Sequence, residues 1–365
     1  MFFGALGTIK QSEGGNIPSS RYHAVIMSNY IFKKYLDERS AEIDEHLRTY
    51  FHSGSHPDMD RYLYDPLSKY SENGGKRHRP LITLLACSAV GGDEKQALAA
   101  GAAIEHFHTA ALIHDDIADD SQLRRGEPCM HITLGEGLAI NAGDLALSLV
   151  TGTVINDDNL PDDIKLRVLH ELVDMTTRTI EGQAMDIGWA QNDRFDISVQ
   201  DYLCMAQHKT AFYSGGVPLA IGAIIGGGTE EQISALRAYG MSTGLAFQLQ
   251  DDLLNLVGKK EAANKDYRSD ITEGKRTMIA VHALANAPAA QRDELLQLLS
   301  SKETDPARLE RAVQIMQDAG SIDYVRDYAI KLAHQGQDEL KRVLPASISR
   351  KLLLSMGDFF VSRLN

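Results

Sequence analysis

Apolar side chains recur every three to four positions along most of the chain, which is the spacing that places them on one face of an α-helix. The pattern predicts a first helix that begins after Ser28. Further predicted helices span residues 62–70, 81–90, 94–120, 138–155, 164–189, 199–214, 218–225, 230–257, 277–285, 292–299, 306–318, 321–343 and 349–363. No stretch alternates apolar and polar residues over several elements, as half-buried strands do. The sequence therefore predicts an all-α protein with one large helical domain.

Helix ends are marked at several places. Three glycines close the helix predicted at 218–225, and Thr229 with Gln232 forms a capping-box pattern at the start of the next. Residues 258–275 are polar and mixed and predict no regular element. Residues 1–28 lack the basic start and apolar core of a signal peptide. We therefore expect a disordered leader at 1–28 and a single domain at 29–365.

Composition narrows the function classes. The net charge of −13 argues against broad binding to nucleic acid or anionic membranes, so any anion site must be a local basic cluster. The three cysteines lie far apart, which predicts neither disulfides nor a zinc site and favours a cytoplasmic protein. The longest near-apolar run, 215–228, is shorter than the about 20 residues that a membrane-spanning helix needs. We therefore expect no transmembrane segment.

Carboxylates are concentrated in two places. Four of them lie in the stretch 115–120, directly after an apolar run, and Asp251-Asp252 ends a second apolar helix. On a helix Asp115 and Asp119 share one face and repel each other unless cations lie between them. Mg²⁺ prefers oxygen ligands and binds through one or two carboxylates plus substrate phosphates. Although a single acidic cluster is usually a solvated helix face, two of them with cations nearby indicate a metal-bridged diphosphate site.

A basic segment, Gly74-Gly75-Lys76-Arg77-His78-Arg79-Pro80, precedes a predicted helix. Backbone N–H groups at a helix start favour anions, and arginine and lysine add fixed charge. Such a loop could hold a second diphosphate without metals of its own. His108 lies two turns before Asp115 on the same helical face, where it could donate a hydrogen bond to phosphate.

These motifs together resemble the trans-isoprenyl (polyprenyl) diphosphate synthase family. The resemblance runs from about residue 31 to the C-terminus and follows the family's motif order: GGKRHRP at 74–80, DDIADDSQLRRGEP at 115–128, KT at 209–210, FQLQDD at 247–252 and KDYRSDITEGK at 265–275. It implies an all-α bundle with a central active-site cavity, a homodimer, and Mg²⁺-dependent condensation of isopentenyl diphosphate with an allylic diphosphate. It also implies about three Mg²⁺ ions per active site.

The resemblance assigns roles by position. The catalytic positions it implies are Asp115, Asp116, Asp119, Arg124, Lys209, Asp251, Asp252 and Lys265. Direct metal ligands among these are Asp115, Asp119 and Asp251. The residues implied to bind the allylic diphosphate are Arg124, Lys209, Thr210, Gln248 and Lys265, with Lys275 as a weaker assignment. Those implied to bind isopentenyl diphosphate are Lys76, Arg79, His108 and Arg125. The second motif departs from many members by ending in Asn255 instead of Asp, and an amide oxygen can still ligate Mg²⁺.

Product length is predicted from the helix that leads into Asp115. Ala111 and Ala110 lie four and five residues before it, and both are small. Phe107, eight residues before it and about 12 Å away along the helix, could form the floor. We expect a product of about C20, geranylgeranyl diphosphate, with C25 or longer as the alternative.

Two competing functions remain. A terpene cyclase or head-to-head synthase shares the aspartate-rich helices but does not need the cradle of Lys76, Arg79 and Arg125. A non-catalytic partner subunit of a heteromeric synthase should have lost metal carboxylates or that cradle, and this chain keeps nearly all of them.

Overall fold

The computed structural model of the chain describes residues 19–72, 74–258 and 268–362, and the all-α prediction is confirmed. The α-helices are α1 Ser19–Arg48, α2 Pro57–Met59, α3 Asp65–Glu72, α4 His78–Ala89, α5 Leu98–Ala118, α6 Met130–Leu134, α7 Glu136–Ile155, α8 Asp162–Gln191, α9 Val199–Ala206, α10 Val217–Ile225, α11 Glu230–Val257, α12 Ser269–Thr272, α13 Met278–Asn286, α14 Ala289–Ser300, α15 Pro306–Asp318, α16 Ser321–His334, α17 Gln337–Val343 and α18 Ile348–Val361. Single 3₁₀ or π segments cover Asp60–Tyr64, Glu94–Ala97 and Gln207–Gly216.

The first helix begins earlier than the sequence predicts. Helix α1 begins at Ser19, so residues 19–28 are helical, while residues 1–18 lie outside the described part of the chain. No glycine or proline occurs between Ser19 and Phe51, and nothing in that stretch interrupts helical hydrogen bonding. The helix therefore extends back to the residue that follows Pro18.

Two stretches of the chain differ in helix structure from the prediction. The stretch 199–225 was predicted as two helices, and it runs from α9 through the π segment Gln207–Gly216 into α10. The stretch 321–343 was predicted as one helix, but it is divided into α16 and α17 at Gly336, which has φ +83°. Glycine adopts this left-handed conformation without steric cost, so the chain can end one helix and start another there.

A short hairpin follows the first acidic motif. Strands β1 Leu123–Arg124 and β2 Glu127–Pro128 pair antiparallel, with Leu123 opposite Pro128. The two residues between them, Arg125 and Gly126, have φ values of +54° and +87°. Positive φ at both central positions matches the twist of a two-residue hairpin. The turn therefore brings both arginines of the Arg124-Arg125 pair next to α5.

The central core lies where α4, α5, α10, α11 and α18 pack together. Gly215 and Gly240 allow the π segment to approach α11 closely, since a Cβ on either glycine would overlap the other's backbone. A second core joins α9 and α11 to the C-terminal helices α13 to α16. These two cores leave a central hollow that is walled by α4, α5, α8 and α11.

Helix α7 bears on the expectation that the chain has no transmembrane segment. It has 20 residues and a mean hydropathy of 1.6, so by length and composition alone it could cross a membrane, and it is the single such helix in the described ranges. Its Ala139, Ala142 and Ala146 are buried and pack with Ala110 and Ile113 of α5. The near-apolar run 215–228 contains α10, all of whose residues are buried in the core.

Candidate active site

One cavity of about 1400 Å³ joins the two acidic motifs. Asp115 and Asp119 of α5 line it together with Asp251 and Asp252 of α11. The fold therefore brings carboxylates that are far apart in the sequence to a shared space, as the sequence predicts. Of the other predicted site residues, those that also line it are Lys76, Arg79, Phe107, His108, Ala111, Arg124, Arg125, Lys209, Thr210, Gln248 and Lys275.

The three remaining predicted residues are Ala110, Asp116 and Lys265. Lys265 lies outside the described residues. Asp116 and Ala110 are both buried and are not among the residues that line the cavity. Positions 115 and 116, like 110 and 111, are about 100° apart around a helix, so one member of each pair faces away from the space that the other lines.

Asp116 supports its neighbours instead of facing substrate. It is 1% exposed and accepts hydrogen bonds from Tyr70 Oη (3.0 Å) and Arg124 Nε (2.8 Å). Burial and the nearby Asp116 raise the pKa of Tyr70, which therefore remains a hydrogen-bond donor. We conclude that Asp116 orients Arg124 at the edge of the cavity and is not itself a substrate-facing carboxylate.

The two cavity-lining aspartates of the first motif already have polar partners. Asp115 Oδ1 accepts a hydrogen bond from Gln183 Nε2 on α8 (2.6 Å). Asp119 Oδ2 forms an ion pair with Lys275 Nζ (3.2 Å). Burial raises the pKa of Asp119, while Lys275 opposes that shift and Asp115 adds to it. The strain of placing two carboxylates together is therefore partly relieved by a lysine.

The second motif is held from behind in a similar way. Asp252 is buried and accepts hydrogen bonds from Tyr202 Oη (2.6 Å) and Gln248 Nε2 (2.7 Å). Burial raises the pKa of Asp252 to about 6. Gln248 Oε1 in turn accepts from Thr210 Oγ1 (2.6 Å), which joins α11 to the π segment. This network fixes the end of α11 that carries Asp251.

The donor set fits Mg²⁺ in its chemistry. Asp115, Asp119 and Asp251 are hard oxygen donors around one cavity, and burial, with Asp115 nearby, raises the pKa of Asp119. In residues 19–72, 74–258 and 268–362, however, no three His, Cys, Asp or Glu side chains are close enough to hold a metal ion by themselves. A bound diphosphate would have to supply the remaining oxygens.

Lys209 lies in the π segment and reaches into the acidic end. Its Nζ pairs with Asp186 Oδ2 of α8 (2.5 Å). Burial would lower the pKa of Lys209, but Asp186 and Asp115 raise it above the ordinary value, so the ammonium stays charged. Gly182 of α8 permits this approach, because a Cβ there would overlap the backbone of Lys209.

The basic end of the cavity is built on the start of α4. Arg79 donates to Ser214 Oγ (3.0 Å) and its guanidinium lies 4.6 Å from the ring centroid of Tyr213. His108 stacks on the same ring. Burial, with Arg79 and Arg125 nearby, lowers the pKa of His108 well below its ordinary value, so it is neutral. The end therefore combines fixed cations with a neutral imidazole.

Arg77 has a different role from its neighbours in the basic loop. It is 4% exposed, has φ +51°, and donates to Asp44 of α1 (2.5 Å), Glu105 of α5 (2.7 Å) and the carbonyl of Ser71. The sequence pattern predicts that Arg77, as part of the basic segment, adds fixed charge for an anion. Its charge instead pairs with two carboxylates, and it ties the loop to two helices.

Several site residues were not found from the sequence. On α8, Gln183 lines the cavity and Asp186, three positions later, pairs with Lys209, and polar residues on an otherwise apolar helical face could have indicated both. Asp270 and Glu273 lie beside Lys275, and burial raises the pKa of Asp270 to about 8. Tyr202 and Tyr213 gave no sequence signal, because a tyrosine in an apolar helix reads as ordinary core.

The opposite part of the cavity is apolar. Its wall includes Phe107, Ala111, Leu112, Leu147, Thr179, Ile180, Ala184 and Ile187. Phe107 is buried and packs against Tyr213, with ring centroids 5.6 Å apart. Ala111 faces this space, but Ala110 packs in the cluster with Ile113 and Ala142, against α7. Of the two alanines predicted to affect product length, Ala111 therefore lines the cavity and Ala110 does not.

The chain is similar in sequence to known proteins over most of its length. Residues 60–316 match the Polyprenyl synthetase family. A geranylfarnesyl diphosphate synthase of Natronomonas pharaonis is 37% identical over 321 residues, which are 83% of this chain and 88% of the relative.

Solved structures agree with the sequence relatives. The crystal structure of a geranylgeranyl pyrophosphate synthetase from Pyrococcus horikoshii has a TM-score of 0.83 at 31% identity and covers 94% of this chain and 99% of its own. That of a geranylgeranyl pyrophosphate synthase from Corynebacterium glutamicum, complexed with isoprenyl diphosphate and magnesium, has a TM-score of 0.80 at 28% identity and covers 91% and 98%.

Proposed function

This chain belongs to the polyprenyl synthetase family, and on that premise we propose how its cavity condenses isopentenyl diphosphate with an allylic diphosphate. The chain is a trans-prenyltransferase whose product has about 20 carbons or more. The observation that carries the assignment of sites is that both acidic motifs and the basic loop line one cavity.

The acidic end takes the allylic diphosphate. Asp115, Asp119 and Asp251 would hold Mg²⁺, and we propose three ions per site once the diphosphate supplies its own oxygens. Bound Mg²⁺ would neutralise the diphosphate and stabilise the charge that develops on it as the C–O bond breaks. Lys209 and Lys275, which their acidic neighbours keep charged, face the same group.

The basic end takes isopentenyl diphosphate. Lys76, Arg79 and Arg125 line it and supply fixed charge, and neutral His108 donates a hydrogen bond. This places the double bond of isopentenyl diphosphate to attack the allylic cation formed at the acidic end. A proton then leaves to the released diphosphate, so the reaction requires no side-chain base. The apolar wall keeps water away from the cation.

Product length follows from the apolar wall. Ala111 leaves the space open four residues before Asp115, and Phe107 closes it one turn further on. We propose geranylgeranyl diphosphate, C20, as the main product. The geranylfarnesyl diphosphate synthase relative supports C25 as the alternative.

We further propose a homodimer formed through α7 and α8. Large apolar side chains on these helices are exposed: Ile140, Ile155, Leu166 and Val173. Leu166 and Val173 lie seven residues apart, so they form one apolar stripe along α8. A second copy that covers this stripe and the exposed side of α7 would account for the hydropathy of α7 in a cytoplasmic protein.

Two rival functions are weighed against the same cavity. A terpene cyclase or head-to-head synthase has no use for the isopentenyl diphosphate cradle, and here Lys76, Arg79 and Arg125 line the cavity. A non-catalytic partner subunit would lack metal carboxylates, and Asp115, Asp119 and Asp251 are all in place.

The test is direct. Purified protein is incubated with Mg²⁺, labelled isopentenyl diphosphate and each allylic primer in turn, and the products are sized. We expect incorporation of label into a C20 diphosphate. Conversion of the allylic primer without incorporation of isopentenyl diphosphate would support a cyclase, and no conversion of any primer would support a partner subunit.

A further inference from the structure

We propose that Asn255, where many family members have Asp, is a positioning residue that holds the segment 268–275 and through it places Lys275 against Asp119. This inference rests on the proposed function, because it assigns Lys275 to the end of the cavity that takes the allylic diphosphate. It excludes Asn255 as a metal ligand, which the sequence had left open.

Asn255 lies at the end of α11 and makes three hydrogen bonds to consecutive residues of the segment 268–275. Its Nδ2 donates to Ser269 Oγ (3.0 Å), its Oδ1 accepts from the backbone N–H of Asp270 (3.2 Å), and its backbone carbonyl accepts from the N–H of Arg268 (2.9 Å). Both ends of the side-chain amide are therefore used within the protein. An amide oxygen that accepts a backbone N–H is a poor candidate to ligate Mg²⁺ as well.

The segment transmits this anchorage to Lys275. The N–H of Lys275 donates to the carbonyl of Asp270 (2.8 Å), and Ile271 is buried in the second core. The turn before Lys275 closes at Gly274, which has φ +67°. Since Asp270 is fixed by Asn255 on one side and by Lys275 on the other, a displacement at residues 269 and 270 moves Lys275.

Lys275 contacts the first acidic motif. Its Nζ lies 2.6 Å from Glu273 Oε2 and 3.2 Å from Asp119 Oδ2, across the cavity from α11. Asn255 thus links the helix that carries the second motif to the lysine that contacts the first. Without the anchorage, the ammonium loses its fixed position opposite Asp119.

The neutral amide of Asn255 also adds no charge to a region that is already acidic. Asp251, Asp252, Asp270 and Glu273 all line the cavity near this end, and a carboxylate at 255 would add another negative charge. Asparagine can donate to one partner and accept from the other while it remains neutral.

The experiment uses the full chain and compares Asn255→Leu, Ser269→Ala and Asn255→Asp. Ser269→Ala removes the partner of the same hydrogen bond without touching any candidate metal ligand. The readouts are kcat and KM for the allylic substrate, KM for isopentenyl diphosphate, and the Mg²⁺ concentration that gives half-maximal rate. Thermal melting shows whether each variant is folded, and Ser269→Ala carries the test if Asn255→Leu is not.

We expect Asn255→Leu, which removes two side-chain hydrogen bonds, to lower kcat/KM for the allylic substrate by about 10- to 100-fold. Ser269→Ala removes one hydrogen bond and should lower the same constant by about 2- to 10-fold. KM for isopentenyl diphosphate and the Mg²⁺ midpoint stay within about twofold of wild type, because neither substitution touches those sites. Asn255→Asp recovers most of the loss, since a carboxylate can accept from both Ser269 and the N–H of Asp270.

Two results would overturn the proposal. If Asn255→Leu raised the Mg²⁺ midpoint about tenfold while Ser269→Ala left every constant unchanged, Asn255 would be a metal ligand. If folded Asn255→Leu and Ser269→Ala were both kinetically wild type, the anchorage would have no role in the reaction. Either result leaves the proposed function standing, because that depends on the wild-type protein's incorporation of isopentenyl diphosphate.

Discussion

The two ends of the cavity are proposed to hold the same chemical group, a diphosphate, by opposite means. The acidic end presents Asp115, Asp119 and Asp251, so it attracts an anion only after cations have bound. The basic end presents Lys76 and Arg79 with neutral His108, so it needs no metal. We infer from this difference that the allylic substrate is activated by metal, whereas isopentenyl diphosphate is only positioned.

The two ends also differ in the partners that their basic side chains have before substrate binds. At the acidic end, lysines lie against carboxylates, as in the pairs Lys209–Asp186 and Lys275–Asp119. At the basic end, Arg79 is braced by a hydroxyl and an aromatic ring and has no carboxylate partner in the described residues. We infer that the acidic end rearranges its ion pairs when metal and substrate bind, while the basic end is ready beforehand.

The largest effect should come from removing a metal carboxylate. Asp251→Asn should lower kcat by about 10²- to 10⁴-fold and raise the Mg²⁺ concentration needed for half-maximal rate, because a metal contributes several kcal/mol of charge stabilisation. Steady-state rates across an Mg²⁺ titration measure both quantities.

Asp120→Asn is the matched control for that loss. Asp120 belongs to the first acidic stretch, but its side chain is 90% exposed, and its φ of +50° suits asparagine. It should behave as wild type. Equal losses in Asp251→Asn and Asp120→Asn would mean that the acidic charge acts in bulk and not through ligands.

At the basic end, Arg79→Met should raise KM for isopentenyl diphosphate by about 10- to 100-fold, since a charge-assisted contact is lost. KM for the allylic substrate should not change. Initial rates with each substrate varied in turn separate the two constants. A parallel rise in both KM values would contradict the division of the cavity into two diphosphate sites.

The apolar wall offers a matched pair of neighbouring alanines. Ala111→Phe should fill the cavity and shift the product from about C20 to about C15. Ala110→Phe should instead overpack the contact with α7 and cost about 1–3 kcal/mol of stability, with product length unchanged. Product sizing and thermal melting distinguish the two, and a shortened product from Ala110→Phe alone would reverse the assignment of faces. Phe107→Ala should lengthen the product, because Phe107 is the proposed floor.

The smallest effect concerns stability without metal. Burial raises the pKa of Asp252 from 3.8 to about 6, so the folded protein binds this proton more tightly than the unfolded chain does. The free energy of unfolding in EDTA should therefore fall by about 1–2 kcal/mol as the pH rises from about 4 to about 6, and this contribution is flat above that. Urea unfolding at several pH values measures it. Asp252→Asn should not show this dependence of the free energy of unfolding on pH. If the dependence were unchanged in that variant, another titrating group would be its cause.

Much of the fold could be predicted because local signals agreed with packing. Helix α11 has the predicted bounds, Glu230 and Val257, and the capping box of Thr229 and Gln232 forms as its sequence indicates. The π segment Gln207–Gly216 could not be predicted, because its apolar spacing is that of an ordinary helix and its close approaches, such as that of Gly215 to Gly240, are tertiary contacts.

The motifs located the site, but they did not determine which way each side chain points. Adjacent residues of one motif diverge: Asp115 lines the cavity and Asp116 orients Arg124. Arg77 shares a loop with Lys76 and Arg79, yet pairs with carboxylates of α1 and α5. Whether a side chain faces the cavity or a neighbouring helix depends on how its own helix is rotated about its axis. A single sequence does not determine that rotation.

The most direct test of the contrast is calorimetric binding of each diphosphate with and without Mg²⁺. The probes are isopentenyl diphosphate and a non-ionisable thiolo analogue of the allylic substrate. The account predicts that isopentenyl diphosphate binds with the same affinity in EDTA as in Mg²⁺, whereas the allylic analogue binds only when Mg²⁺ is present. Binding of the allylic analogue in EDTA, or loss of isopentenyl diphosphate binding there, would contradict it.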